Sequence, residues 1–349
     1  MKQALVPHLR SPRTGQPMEL SVEHGTGQEV AEGVLRTRSG EEFSISGGVP
    51  TLMEADVMGG DQQATQDSFS AKWQIATDYR QATLEHYRDW YFERYGFSSE
   101  ADVAKFLQSS DLILDCGTGH GRDAQMYAQN SNATVIGLDF SYGIRNAYRD
   151  LGDIDNLHLV QADMTRLPFP KEYFDLVTCD QALHHTPNTH DAFKSLLSVL
   201  KPGGRIATYV YKVKAPIREF TDDFVRATTT KMSTDECMEV SAAITGLGKA
   251  LSELKAEFTV PDDIPLLGIQ AGTYDVQRFI YYNIMKCYWN DSMDWDTNVI
   301  TNFDWYHPTD AHRHTPEQVR SWCDEANLEI ERLYECGSGI TLIARKPLT

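Results

Sequence analysis

The stretch Leu112-Ile113-Leu114-Asp115-Cys116-Gly117-Thr118-Gly119-His120-Gly121-Arg122 decides the fold. A short apolar run ends in an acid, three glycines follow at alternate positions, and a helical pattern begins. Glycine lets the backbone turn sharply and lets a ligand approach the main chain closely. The first N–H groups of the following helix then face whatever occupies the turn. The spacing is GxGxG, not the GxGxxG of dinucleotide-binding folds, which argues against a nicotinamide or flavin enzyme.

Outward from this turn, apolar runs alternate with helical patterns. Ala133 to Asp139 reads as a second strand ending in an acid, and Leu157 to Val160 as a third, reaching Asp163. Phe174 to Cys179 is a fourth. A helix over Ala192 to Leu200 stops at Lys201-Pro202-Gly203-Gly204, and Arg205 to Tyr211 is a fifth strand. Alternating β and α at this spacing implies a parallel sheet with helices on both faces. Asp115, Asp139 and Asp163 stand 24 residues apart in turn, and the ends of such strands line one crevice. Asp139 can accept from both hydroxyls of a ribose. Asp163 with Met164 can flank a purine. Each acid alone could equally cap a helix, but three on successive strand ends exceed what capping explains.

Taken in order, Asp115-Cys-Gly-Thr-Gly-His-Gly, Leu138-Asp139-Phe140-Ser141, Gln161-Ala162-Asp163-Met164, Phe174-Asp175-Leu176-Val177, Ala182-Leu183-His184-His185 and Leu200-Lys201-Pro202-Gly203-Gly204 resemble the class I S-adenosylmethionine-dependent methyltransferases. The resemblance implies an α/β fold, a doubly wound, seven-stranded, mostly parallel Rossmann-like sheet, with S-adenosyl-L-methionine as cofactor. It places Gly117, Thr118 and Gly119 at the methionine part, with Asp115 near its amino group. It gives the ribose to Asp139, and sets Phe140 against the adenine, whose edge and face go to Asp163 and Met164. Asp180 and Gln181 should border the methionine part and the sulfonium. An aromatic helical segment with Phe69, Trp73, Tyr79, Tyr87, Trp90, Tyr91 and Phe92 resembles the lid of many relatives, with Tyr79 as a cover for the cofactor.

The chain divides into a small β module (1–58), the aromatic helical lid (59–110), the cofactor-binding core (111–213), a helical insertion between the fifth and sixth strands that shapes the substrate pocket (214–314), and a closing helix and strands (315–349). In the first segment Val34 to Arg38 and Glu42 to Ile45 alternate around a Ser39-Gly40 turn signal. Ser11 to Leu20, Glu32 to Leu35 and Ile45 to Pro50 resemble a zinc-ribbon-like module. Cysteines would stand near Ser11 and Thr14, but the chain has none before Cys116. The expectation is a metal-free module that packs or pairs chains.

Methyl transfer is an in-line displacement, for which positioning supplies much of the rate. Protein groups are needed mainly to free the acceptor's lone pair. The candidates are His184 and His185 past the fourth strand, and Tyr306 within Asp304-Trp305-Tyr306-His307-Pro308. His312 and His314 have a metal-like spacing but read better as locally bonded loop residues. The run from Phe279 to Met285 with Tyr288 and Trp289 reads as core, or else as an aromatic pocket wall. Between Lys214 and Tyr306 there are 8 basic and 15 acidic residues. This points to a closed pocket for a small molecule and favours a neutral or cationic acceptor. Three further readings share these residues: a cyclase acting on the cofactor itself, an inactive cofactor-binding subunit, and a tRNA or other nucleic-acid methyltransferase.

Composition narrows these. The chain has 349 residues, 32 Lys plus Arg against 50 Asp plus Glu, and a net charge of −18. That argues against a nucleic-acid partner, which needs a basic footprint. No run approaches the length of a membrane helix, and Met1 to His8 carries no secretory apolar run. Six scattered cysteines without a CxxC pair read as reduced and buried. The expectation is a cytoplasmic enzyme with a small-molecule substrate, no membrane or nucleic-acid partner, and scope to form a homodimer.

Overall fold

The computed structural model describes residues 1–54, 58–75 and 79–348, without the side chains of 79–85. Four strands open the chain: β1 (Met18–Thr26), β2 (Glu29–Thr37), β3 (Glu42–Ser46) and β4 (Val49–Leu52). The β2–β3 hairpin is the one the alternation announces. Leu35 pairs with Phe43, both buried, and Gly40 makes the turn at φ 92°. β1 is not announced, because most of its side chains are exposed and carry no two-residue period. At Ser11 and Thr14, hydroxyls close on a carboxylate: Thr14 Oγ1 donates to Glu41 at 2.6 Å and Ser11 Oγ at 3.1 Å.

Three helices follow, α1 (Gly60–Ile75), α2 (Tyr79–Tyr95) and α3 (Glu100–Leu107). The alternating core is β5 (Leu112–Cys116), α4 (Arg122–Gln129), β6 (Thr134–Asp139), α5 (Gly143–Leu151), β7 (Leu157–Ala162), β8 (Phe174–Cys179), α6 (Thr189–Val199) and β9 (Leu200–Tyr211). The insertion holds α7 (Pro216–Thr229), α8 (Thr234–Glu253), β10 (Glu257–Val260), β11 (Gly272–Asp275), α9 (Val276–Asn283) and α10 (Trp295–Tyr306). Within it β10 and β11 form an antiparallel hairpin whose exposed four-residue strands left no pattern to read. The chain closes with α11 (Pro316–Glu325), β12 (Glu329–Glu335) and β13 (Gly339–Arg345). The Thr315-Pro316 start is a capping box: Thr315 accepts from Gln318 N, and the Gln318 side chain accepts from Thr315 N.

The core strands run β7-β6-β5-β8-β9-β13-β12, the first five parallel and β13 antiparallel to β9. β5, β6 and β7 are buried almost throughout, as a parallel sheet covered on both faces requires. From β5 the chain winds outward to β6 and β7, then returns to the other side through β8. The crevice at this reversal is where ligands bind in such sheets.

The ladder does not stop at these seven strands. β4 pairs in parallel with β7, Thr51 opposite Gln161 and Leu52 opposite Ala162, and β3, β2 and β1 continue to an eleven-stranded sheet. The N-terminal module therefore extends the sheet. Leu35, Ile45 and Leu52 share one buried cluster with Leu114, Leu138 and Val160. An open β7 edge would leave a row of unpaired backbone groups, and β4 covers it.

Candidate active site

The turn after β5 is built from left-handed glycines: Gly117, Gly119 and Gly121 have φ of 75°, 53° and 76°. A Cβ on Gly117 would run into Ala182 Cβ, and one on Gly119 would stand 2.9 Å from the Trp73 ring. The tip of β8 and helix α1 thus press on the turn, and only glycine fits between. Asp115 lies beneath it and does not line the cleft above. Its carboxylate accepts from Thr118 Oγ1 at 2.6 Å and Thr178 Oγ1 at 2.8 Å, so it braces the turn from below. Burial pushes its pKa up to about 7.

Above the turn is a cleft of about 1100 Å³ including its open mouth. Gly117, Thr118, Gly119, Asp180 and Gln181 line it from the β5 and β8 tips, and Asp139, Phe140, Asp163 and Met164 from the β6 and β7 tips. Asp139 accepts from Gly119 N at 2.8 Å, Ser141 N at 2.8 Å and Ser141 Oγ at 2.6 Å. Asp163 accepts from Thr165 N at 2.8 Å and from Gln62 Nε2 at 2.6 Å. Each carboxylate oxygen carries two lone pairs, so each group can accept further from a ligand.

Asp180 is gripped by residues absent from the sequence reading. Arg94 donates to it bidentately at 2.6 and 3.0 Å, and Tyr95 Oη donates at 2.9 Å. The Arg94 guanidinium is fully buried, 3.8 Å from the Trp90 ring centroid and 4.4 Å from that of Tyr209. Burial alone would raise the Asp180 carboxyl, but the Arg94 charge outweighs it and holds it below the usual range. Gln181 has φ 60°, an uncommon conformation for a side-chain-bearing residue, and donates to Asp180 at 2.8 Å. The signal for Arg94 was its place in the aromatic run Tyr91-Phe92-Glu93-Arg94-Tyr95.

Beyond Gln181 the cleft is lined by His185, Thr186, Phe69, Lys72 and Asp304, with Trp73 over the glycine turn. His185 Nδ1 lies 2.6 Å from the Asp310 carbonyl. A carbonyl only accepts, so Nδ1 carries the proton and Nε2 keeps its lone pair. Burial lowers the His185 pKa to about 4. Phe69 meets the imidazole edge-on at 4.8 Å, and Lys72 pairs with Asp304 at 2.9 Å.

Two candidates stand elsewhere. His184 is fully buried behind His185, against Tyr211 at 3.6 Å, and does not line the cleft. Tyr306 is buried in the insertion, where its hydroxyl donates to the Lys286 carbonyl at 2.8 Å and to Asp222 at 3.2 Å. Both are corrections to the sequence reading. Successive helix residues are turned by roughly 100°, so Tyr306, two residues on, faces nearly opposite to Asp304: Asp304 reaches the cleft and Tyr306 points into the insertion. The side chain of Tyr79 lies outside the described residues. The aromatic run at 279–289 does not line the cleft either. His307 bonds Ser68 Oγ at 2.7 Å, and among the described residues no group of three or more His, Cys, Asp or Glu could hold a metal.

Fold and cleft together define a class: the chain carries a class I S-adenosyl-L-methionine-dependent methyltransferase core. Residues 114–208 match the family described as a methyltransferase domain. Over 100 residues the chain is 35% identical to the ubiquinone/menaquinone biosynthesis C-methyltransferase UbiE of Vibrio vulnificus, 27% of this chain and 38% of that protein. Over 106 residues it is 38% identical to the same enzyme of Pseudomonas savastanoi, covering 29% and 41%. The chain thus spans about two fifths of the length of these relatives. Among solved structures, an O-methyltransferase family protein from Burkholderia thailandensis aligns with a TM-score of 0.45 and 13% identity, over 81% of this chain and 63% of that one. No helix of the described residues is long and apolar enough to cross a membrane.

Proposed function

We propose that the protein binds S-adenosyl-L-methionine in this cleft and transfers its methyl group to a small molecule. The observation that carries this is the convergence on one crevice of the glycine turn, Asp139 at the tip of β6 and Asp163 just beyond the tip of β7. The donor set suits the cofactor. A ribose diol finds the Asp139 carboxylate, an adenine finds Asp163, Phe140 and Met164, and the methionine end finds bare backbone at Gly117 and Gly119 beside Asp180. Bound there, the cofactor supplies an electrophilic methyl carbon on a good leaving group. His185, at the far end, receives a proton at Nε2, since its Nδ1–H is held by the Asp310 carbonyl. Phe69, Trp73 and the Lys72–Asp304 pair narrow the approach and limit water.

Calorimetric titration with S-adenosylhomocysteine tests the site. Asp139→Ala should weaken binding at least tenfold, because a hydrogen bond to a charged group contributes about 1.5–3 kcal/mol. Unchanged affinity would falsify the assignment. Product analysis tests the reaction: S-adenosylhomocysteine is expected, and methylthioadenosine formed without an acceptor would mean cyclisation of the cofactor instead.

A further inference from the structure

The negative charge of the chain suggests a cleft that attracts cations, yet beside His185 the cleft offers none of that charge freely. Five aspartates line it among the described residues. Asp123 is paired with Arg122 at 2.9 Å, Asp180 with Arg94, and Asp304 with Lys72. Asp139 and Asp163 already accept from backbone N–H groups, with Ser141 Oγ and Gln62 completing them. At the end beyond Gln181 the one carboxylate is Asp304, and its charge is neutralised where it lies. A cationic acceptor would have to shed its water without gaining a free counterion, which is costly.

What that end does offer is a neutral imidazole and apolar rings. His185 is 5% exposed, its Nδ1 is engaged, and Nε2 has no hydrogen-bond partner among the described residues. Phe69 stands against it at 4.8 Å. Ring walls with one acceptor nitrogen suit a flat molecule carrying a hydroxyl.

We propose that the acceptor is a neutral phenol or enol, methylated on its hydroxyl oxygen, with His185 Nε2 taking the hydroxyl proton. This rests on the cofactor reading above. An oxygen lone pair forms the new O–CH3 bond, and the electron pair of the broken C–S bond stays on sulfur, leaving a neutral thioether. The O–H bonding pair stays on oxygen as its proton passes to Nε2. The imidazolium so formed returns the proton to solvent through the mouth of the cleft. Burial makes His185 a weak base. A weak base suffices for an oxygen that becomes strongly acidic as it is alkylated, but it cannot strip an ammonium group.

The test uses protein saturated with S-adenosylhomocysteine and two flat probes, 2-naphthol and naphthalen-2-ylmethanamine, titrated by fluorescence at pH 7. The naphthol should bind at least tenfold more tightly than the amine. His185→Phe should weaken naphthol binding at least fivefold and leave the binding of S-adenosylhomocysteine unchanged. Nitrogen-15 NMR of labelled histidine should show His185 protonated on Nδ1 alone down to about pH 5. Equal affinities, tighter amine binding, no naphthol binding, or a His185 that titrates near pH 6.5 would each overturn the proposal. Failure of S-adenosylhomocysteine to bind would instead overturn the cofactor reading, and calorimetry separates the two.

Discussion

Arg94 and Asp180 are a fully buried ion pair whose members come from α2 and the tip of β8. Removing one partner of such a pair leaves an uncompensated charge in a dry site and costs about 3–5 kcal/mol. Arg94→Met should lower unfolding free energy in urea by that order, and Arg94→Met with Asp180→Asn should recover part of it. A neutral single variant would show that the pair carries no such penalty. Gly117→Ala meets both a left-handed backbone and Ala182 Cβ. It should abolish S-adenosylhomocysteine binding in calorimetry. The need for glycine was legible in the sequence, since nothing else makes that turn. Arg94 was not, because its role depends on a carboxylate 86 residues away.

At the scale of elements, α1 is unusual in burying its polar side. Thr65, Gln66, Ser68, Ser70 and Lys72 face inward. Gln62 donates to Asp163, Gln66 Nε2 to the Phe140 carbonyl at 2.6 Å, and Tyr142 N to Ser70 Oγ at 3.1 Å. A search for apolar periodicity finds helices by their greasy stripe, so it sees the aromatic residues here but not how they are held. A lid tied by polar bonds should open more readily than one tied by a core. Lys72→Met breaks the bond to Asp304 and leaves its partly buried carboxylate without that cation, a loss of about 2 kcal/mol. Amide exchange across 60–75 should quicken roughly thirtyfold, and S-adenosylhomocysteine should slow it in the unaltered protein. Exchange that ignores both changes would show that α1 is not a lid held in this way.

For the whole molecule, pH acts through buried histidines. Burial lowers His158, His185 and His314 to about 4, and it lowers His184, His8, His86 and His307 as well. Their unfolded values are near 6.5. Between pH 6.5 and 4 the unfolded chain therefore binds more protons, and stability falls as pH falls. Asp115, raised to about 7, acts the other way over about pH 4 to 7, because the folded state then holds the extra proton. Burial also raises Asp139 and Asp310, but seven lowered histidines outnumber three raised carboxyls among the described residues, so the urea midpoint should drop from pH 7 to pH 5; a rise would reverse the assignment. The sheet makes a second prediction at this scale. Deleting residues 1–52 strips β4 from β7 and exposes the cluster shared with Leu35, Ile45 and Leu52. The truncated chain should be largely insoluble, and a soluble product with an unchanged melting temperature would show the module to be independent.

By itself the sequence determined the parallel core, its glycine turn and the acids on its strand ends. These are local properties: a strand buried on both faces, a turn that only glycine makes, a carboxylate at a strand end. It also showed that the N-terminal module has no cysteines where its likeness would have them. The tertiary structure alone decided which of His184, His185 and Tyr306 reaches the cleft, since that turns on side-chain direction within a single helical turn. It decided that the small β module completes the sheet, because strand pairing joins residues 110 apart. It decided, too, that an acidic chain has a cleft whose end beside His185 holds no unpaired carboxylate. Net charge sums over all residues, whereas a ligand meets only those carboxylates that Arg94, Arg122, Lys72 and the backbone have left unpaired.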